Sequence, residues 1–227
     1  MMKTFSLPIG KGTQTVSLDE AHVLYDLHGN PVDAVADEQE AIRQALRHPI
    51  GSAPLKDVVQ AGDTVAIIVS DITRLVHTAQ MLPVIVDELN QAGVRDEQIT
   101  VVTAQGTHRA HTPEEDVTVC GEDMVKRVKV VSHDCRDASQ LTKIGTTTHG
   151  NDVYLDSHVV QADKVILTGA VSFHPMAGFG GGRKAVLPGV ASYETIMRNH
   201  AMALTDTFGG GCNPRCETSL LEDNPST

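Results

Sequence analysis

Long apolar runs are missing from this chain. No stretch reaches the roughly 18 residues that a transmembrane helix requires. The first ten residues, Met1 to Gly10, lack the apolar centre of a secretory signal. Cysteine is scarce as well. Four in 227 residues (Cys120, Cys135, Cys212 and Cys216) do not read as a disulfide scaffold. Cys212 and Cys216 resemble half a metal site, but no paired Cys/His set lies near them, so a structural zinc is not expected. Positive charge is also in deficit, with 18 Lys and Arg against 29 Asp and Glu, a formal net charge of −11. That balance argues against nucleic acid and anionic membranes as partners. It still admits a small anionic ligand, because a local Arg and Lys cluster can reverse the field inside a cleft. The absences lead us to expect a cytoplasmic globular chain of one or two domains with a substantial core. There is no internal repeat and no low-complexity tract.

What is there alternates between strand and helix signals. Thr64 to Val69 is a continuous apolar run after Gly62-Asp63, which suits a strand buried on both faces. A helix is expected from about Ala79 to Ala92, with Thr78 as cap and Gly93 as stop. Leu82, Ile85, Val86 and Leu89 share one face of it, and Pro83 lies early in it, which the first turn tolerates. Ile99 to Val102, Val128 to Val131 and Lys164 to Leu167 read as further strands. Ser192 to Leu204 reads as a helix capped by Ser192. Strands separated by helices imply a parallel α/β sheet with right-handed crossovers. The first 60 residues differ, with a hairpin near Thr15 to Tyr25 and a helix around Asp37 to Leu46. The expected organisation is a hairpin-and-helix region over 1–60, an α/β domain over 61–204 and a linker over 205–227.

The segment His174 to His200 concentrates the chemistry. It runs His174-Pro-Met-Ala-Gly178-Phe-Gly180-Gly181-Gly182-Arg183-Lys184, then Pro188-Gly189, and ends at His200. Glycines let backbone N–H groups approach an anion closely. Imidazoles can bind metal or carry protons near neutral pH, and a lysine amine can be a nucleophile. A phosphorylated cofactor, with or without a metal, suits such a stretch. It is not a P-loop, since Arg183 replaces the last glycine of that motif and Ala185 its Ser/Thr. The plain alternative is a flexible surface loop. Two other motifs follow strands: Asp71-Ile72-Thr73-Arg74, and Thr103-Ala104-Gln105-Gly106-Thr107-His108-Arg109. Ligands of open α/β sheets bind outside the carboxyl ends of the strands, so the three motifs can converge on one crevice.

These motifs, with Ala191-Ser192-Tyr193-Glu194-Thr195 leading to Asn199-His200, resemble the nickel-dependent lactate racemase family. Its members racemise or epimerise 2-hydroxy acids. The resemblance covers residues 1 to about 204, the first half of a typical member. It implies an open, mostly parallel Rossmann-like α/β sheet flanked by helices. It also implies a nickel pincer nucleotide, a pyridinium mononucleotide with two sulfur-bearing arms, joined covalently to Lys184. By the same resemblance His200 is the nickel ligand and His108 and His174 are the acid/base pair. Arg74 then binds the substrate carboxylate, a planar group that suits a guanidinium fork. Asp71 and Thr73 are expected at the cofactor's ribose or phosphate. Gly180, Gly181 and Gly182 are the phosphate-cradle candidates, with Ser172 and Thr107 behind them. Each has a plainer reading: a solvated Lys184, a helix-end partner in His200, a capping His108 and a packed His174.

Two departures stand out. Members of the family often carry proline after the substrate arginine, where this chain has Leu75. The second family domain, which bears another substrate lysine, is expected to be absent. Implied partners are a small 2-hydroxy acid and the cofactor-synthesis proteins, and a homo-oligomer is left open. Two competing readings are a non-catalytic cofactor-binding or carrier module and a zinc-dependent hydrolase. The latter lacks metal-ligand spacing; His111, three residues after His108, has no HExxH context.

Overall fold

The computed structural model describes residues 1–174 and 177–202, in two compact units. Cys212, Cys216 and the expected linker lie outside those residues. The first unit, Met1–Ala36, is built on an antiparallel ribbon of β1 (Met2–Ile9) and β2 (Gly12–Asp19). It lies earlier than the hairpin expected near Thr15 to Tyr25. Gly10, at φ +53°, and Lys11 make the turn. Beyond β2, Asp19 caps a short 3-10 turn over Glu20–His22.

The second unit begins at Asp37. It runs α1 (Glu38–Arg47), α2 (Leu55–Val58), β3 (Val65–Ser70), α3 (Thr78–Gln91), β4 (Ile99–Ala104), α4 (Pro113–Cys120), α5 (Glu122–Arg127) and β5 (Lys129–Ser132). There follow β6 (Leu141–Thr146), β7 (Asp152–Asp156), α6 (Ser157–Val160), β8 (Lys164–Leu167), β9 (Phe173–His174), β10 (Gly178–Phe179) and α7 (Tyr193–Ala201). The two compact units meet near residue 36, so α1 and α2 group with the sheet. The cause is packing: Arg47 of α1 pairs with Glu88 of α3 at 2.8 Å, and Leu46 and Leu55 lie against the core beneath.

Four parallel strands form the main sheet in the order β5-β4-β3-β8. Strand β3 shows why its apolar run is unbroken. Val65, Ile67 and Val69 face one core with Leu82, Ile85, Val86 and Leu89 of α3. Ala66 and Ile68 face the other, with Val153, Leu155, Val190 and Ile196. A strand covered on both faces needs an apolar residue at every position. The chain moves outward on one side of β3 to β4 and β5, then returns to the other side as β8. That reversal makes a switch point between β3 and β8.

Two details of α3 differ from expectation. Thr78 is its first residue, and the cap position is His77, which is left-handed at φ 58° and makes no side-chain capping bond. Pro83 is the sixth residue, so it sits in the second turn. Gly93, at φ +95°, does end the element. No described helix is long and apolar enough to cross a membrane.

Candidate active site

The residues that follow β3, β4 and β8 line a cleft of about 540 Å³ at the switch point. Each wall comes from a different segment. Ser70, Asp71 and Arg74 follow β3; Gln105 to His108 follow β4; Thr168 to Ala170 follow β8. His174, Gly180, Gly181 and Lys184 come from the ribbon and turn beyond, and His200 from α7.

The β3 loop is fixed by its own polar groups. Asp71 is only 2% exposed, and such a carboxylate must be hydrogen-bonded. One oxygen lies 2.6 Å from Nδ1 of His108, and the other accepts the Thr73 hydroxyl at 2.7 Å. The Arg74 N–H donates to the Asp71 carbonyl, closing a turn. From below, the Ile72 N–H donates to Nε2 of buried His111 at 2.9 Å, and Nδ1 of His111 faces Asp116. Thr73 thus reaches Asp71 and is not among the cleft-lining residues.

The β4 loop is tied down by the Gly106 N–H, which donates to the Gly189 carbonyl at 2.8 Å. Gln105 is 2% exposed at the cleft floor. Its amide accepts from Thr103 and donates to Ser132, so its orientation is set.

The glycine run packs against protein first. The Gly180 N–H donates to the Ser172 carbonyl at 2.7 Å. A Cβ on Gly181 would stand 3.1 Å from the Ala170 carbonyl oxygen. Gly180 and Gly181 line the cleft, while Gly182 is exposed with open space around it. Their shared role is close approach to the 170–172 segment, which brings a 3-10 turn over Gly182–Ala185 and its lysine to the cleft. The Ser192 hydroxyl accepts from the Thr195 N–H, as expected of a cap, and α7 then carries Asn199 and His200.

The cleft gathers cationic groups, and their titration records it. Burial, then the Arg74 charge, pushes the Lys184 amine down to about 8. Burial lowers His174, helped by Lys184, Arg74 and His200, and burial with Lys184 lowers His200. Both rings therefore favour the neutral, lone-pair-bearing form at pH 7. The Ala177 N–H donates to Nδ1 of His174 at 3.2 Å, so its neutral ring carries the proton on Nε2. Within the second unit, the described part of the chain brings Asp71, Arg74, His108, His174, Gly180, Gly181, Lys184 and His200 to one place.

Residues 9–209 match the family described as the lactate racemase N-terminal domain. The chain belongs to that family. A lactate racemase of Lactiplantibacillus plantarum is 36% identical over 206 residues, 88% of this chain and 47% of that protein. One from Thermoanaerobacterium thermosaccharolyticum is 31% identical over 226 residues, 99% of this chain and 51% of that protein. The chain therefore spans about half the length of these lactate racemases. The solved lactate racemase apoprotein from the latter organism superposes with a TM-score of 0.83 at 27% identity, covering 98% of this chain and 54% of that one. A Thermotoga maritima protein of 22% identity shares the fold, with a TM-score of 0.62.

Sequence reasoning passed over two histidines of this family member. His111, considered only as a metal ligand, is the buried post beneath the β3 loop. His133, which no motif singles out, is fully buried between Asp156 at 3.0 Å and the Ala191 carbonyl at 2.9 Å. It anchors the turn that starts α7. Burial alone would raise the Asp156 carboxyl, but hydrogen bonds from His133 and His158 outweigh it and hold it below the usual range. Nothing in local sequence marked either ring, since each partner is non-local or several residues away.

Proposed function

We propose that this chain is the cofactor-binding half of a cytoplasmic 2-hydroxy-acid racemase or epimerase that uses a nickel pincer nucleotide attached at Lys184. One observation carries the reading. Arg74, His108, His174, Lys184 and His200 come from separate segments and line a single cleft, in a chain whose named relatives are lactate racemases.

The residues fit such a group. A cleft of about 540 Å³ lies in the range of small-molecule sites. Lys184, lowered to about 8, offers a substantial neutral fraction for acylation at physiological pH. Among the described residues, no three His, Cys, Asp or Glu side chains are grouped to hold a metal. His200 would supply one protein donor to a metal whose other donors the bound group brings. When bound, the nucleotide supplies the hydride acceptor.

The chain's own side chains then do the rest. Arg74 holds the substrate carboxylate. His108 and His174 stand as the two proton-transfer groups, because inversion removes a hydroxyl proton on one face and returns it on the other. The rings are complementary as drawn: His108 directs Nδ1 to Asp71 and leaves Nε2 to the cleft, while neutral His174 carries its proton on Nε2. Gly180 and Gly181, packed on the 170–172 segment, bring the turn that carries Lys184 to the cleft, and Lys184 fixes the ring.

The test is intact mass and metal analysis of protein from cells that make the cofactor. An adduct with nickel is expected, and Lys184→Ala should lose the adduct and keep the fold. An adduct mapped to another lysine would refute the assignment. The half-length match favours a second reading, a carrier module without turnover; it predicts adduct and nickel with no racemisation even in a form that spans the relatives' full length.

A further inference from the structure

The carboxylate of Asp71 is the most constrained charged group at the cleft, and the ribose role does not use that constraint. It is 2% exposed and lies 2.6 Å from Nδ1 of His108, while the His108 ring itself is 42% exposed. A buried anion beside a half-open imidazole is the arrangement that orients a proton-transfer group. The distance is short, at the lower edge of charge-assisted N–H···O bonds.

We infer that Asp71 is the positioning residue of His108: it holds the ring's proton on Nδ1 and presents the Nε2 lone pair to the cleft. The inference rests on the racemase reading for what His108 does, but the tautomer stands on geometry alone.

Three features keep Asp71 in place. Thr73 donates to its second oxygen, which stops the carboxylate from rotating. The Arg74 N–H ties its carbonyl into a turn. The next residue's N–H is held by His111, whose Nε2 accepts that proton and whose Nδ1 therefore donates to Asp116. The His111–Asp116 pair is thus a buried support under the loop, and Asp71–His108 is its counterpart at the cleft.

The role has a chemical consequence. A neutral imidazole has one donor and one acceptor nitrogen, and the partner of one fixes the other. With a carboxylate on Nδ1, His108 accepts the hydroxyl proton at Nε2 and the resulting imidazolium stays paired. With an amide there, the amide N–H can donate to Nδ1 and move the proton to Nε2, where the ring no longer accepts.

The test uses ¹⁵N-histidine NMR of the 227-residue chain without cofactor. Neutral His108 should show the Nδ1–H tautomer with a downfield Nδ1 proton in the wild type. Asp71→Asn should shift it toward Nε2–H, and Thr73→Val should keep the Nδ1–H tautomer while weakening the downfield signal. A wild-type His108 in the Nε2–H form, or a folded Asp71→Asn with an unchanged tautomer, overturns the inference. The wild-type spectrum decides even if Asp71→Asn does not fold. In the cofactor-loaded complete protein, Asp71→Asn should lower kcat by on the order of 10²-fold or more with KM little changed. Loss of cofactor binding with the tautomer and kcat intact would return Asp71 to the ribose. Absence of racemisation in the wild type, with the tautomer as expected, would sink the racemase reading and leave the positioning intact.

Discussion

Lys184 shows how burial turns a common residue into a special one. Its amine is lowered to about 8, with burial as the larger cause and Arg74 the smaller. Competitive acylation across pH should therefore give Lys184 a midpoint near 8, while ordinary surface lysines follow the usual value of about 10.4. A midpoint above 10 would contradict the burial argument. Stability carries the same signature. Between pH 8 and the unfolded value, the unfolded chain binds more protons at this site, so its contribution rises with pH there. Below pH 8 both states are charged and the folded state bears the full penalty. Lys184→Met should therefore raise the melting temperature at pH 7 and lose that advantage by about pH 10 to 11, the unfolded lysine range. A second contrast tests the glycines. A Cβ on Gly189 would overlap the Ala185 carbonyl oxygen and stand 2.9 Å from Ala104 Cβ, whereas Gly182 has open space. Gly189→Ala should cost several kcal/mol, on the scale of overpacking and backbone strain. Gly182→Ala should cost only ~1–2 kcal/mol, for a left-handed backbone. Equal melting temperatures for the two variants would show that the Gly189 contact relaxes.

At the scale of elements, the sequence was most legible where one physical signal dominated. The unbroken apolar run of β3 reflects two-sided burial, and the edge strand Lys164–Leu167 matches its expected bounds. Ser192 was readable as a cap because the hydroxyl that accepts from Thr195 is three residues away. Elements held by distant partners were not. The β6–β7 ribbon is half-exposed, and its strand Leu141–Thr146 mixes polar and apolar residues without clean alternation. The cap of α3 was misplaced because Thr78 is buried in the helix and His77 turns the chain by a left-handed backbone. One missed signal was available: Thr112-Pro113-Glu114-Glu115 is a capping box with proline at N1, and both reciprocal bonds form. The candidate site was legible as motifs at strand ends, and its internal pairings were not. Asp71 with His108 joins residues 37 apart, which no local pattern encodes. A prediction belongs here too. Ser192→Ala removes the α7 cap and its bond to the Thr195 hydroxyl, so it should cost ~1 kcal/mol or somewhat more. His200 rides on α7, so under the proposed ligand role metal retention should also weaken in thermal and dialysis assays of the loaded protein. Unchanged retention at reduced stability would mean that the helix holds His200 without its cap.

The whole chain carries a net charge of −11, yet its cleft gathers the cations Arg74 and Lys184, while the Asp71 carboxylate is turned to His108. A positive cleft in an acidic body favours a small anion and disfavours polyanions, because field lines concentrate where low-dielectric walls enclose like charges. That field does not exclude water. His108 is 42% exposed, Arg74 is exposed, and Val171 and Phe173, beside cleft-lining residues, are 82% and 83% exposed. Hydride transfer needs the reacting groups held close and solvent kept out, and enzymes usually achieve this with a lid or a second domain. The lactate racemases related to this chain are about twice its length. This chain should therefore fold and retain cofactor, yet turn over 2-hydroxy acids at least ~10²-fold more slowly than a form carrying the second half, the usual cost of loosely placed reacting groups. The measurement is a chiral assay of lactate and malate, with both forms loaded equally with nickel. Equal rates would mean that the cleft already excludes enough water by itself, and that the exposed rim around Val171 and Phe173 has no part in closing it.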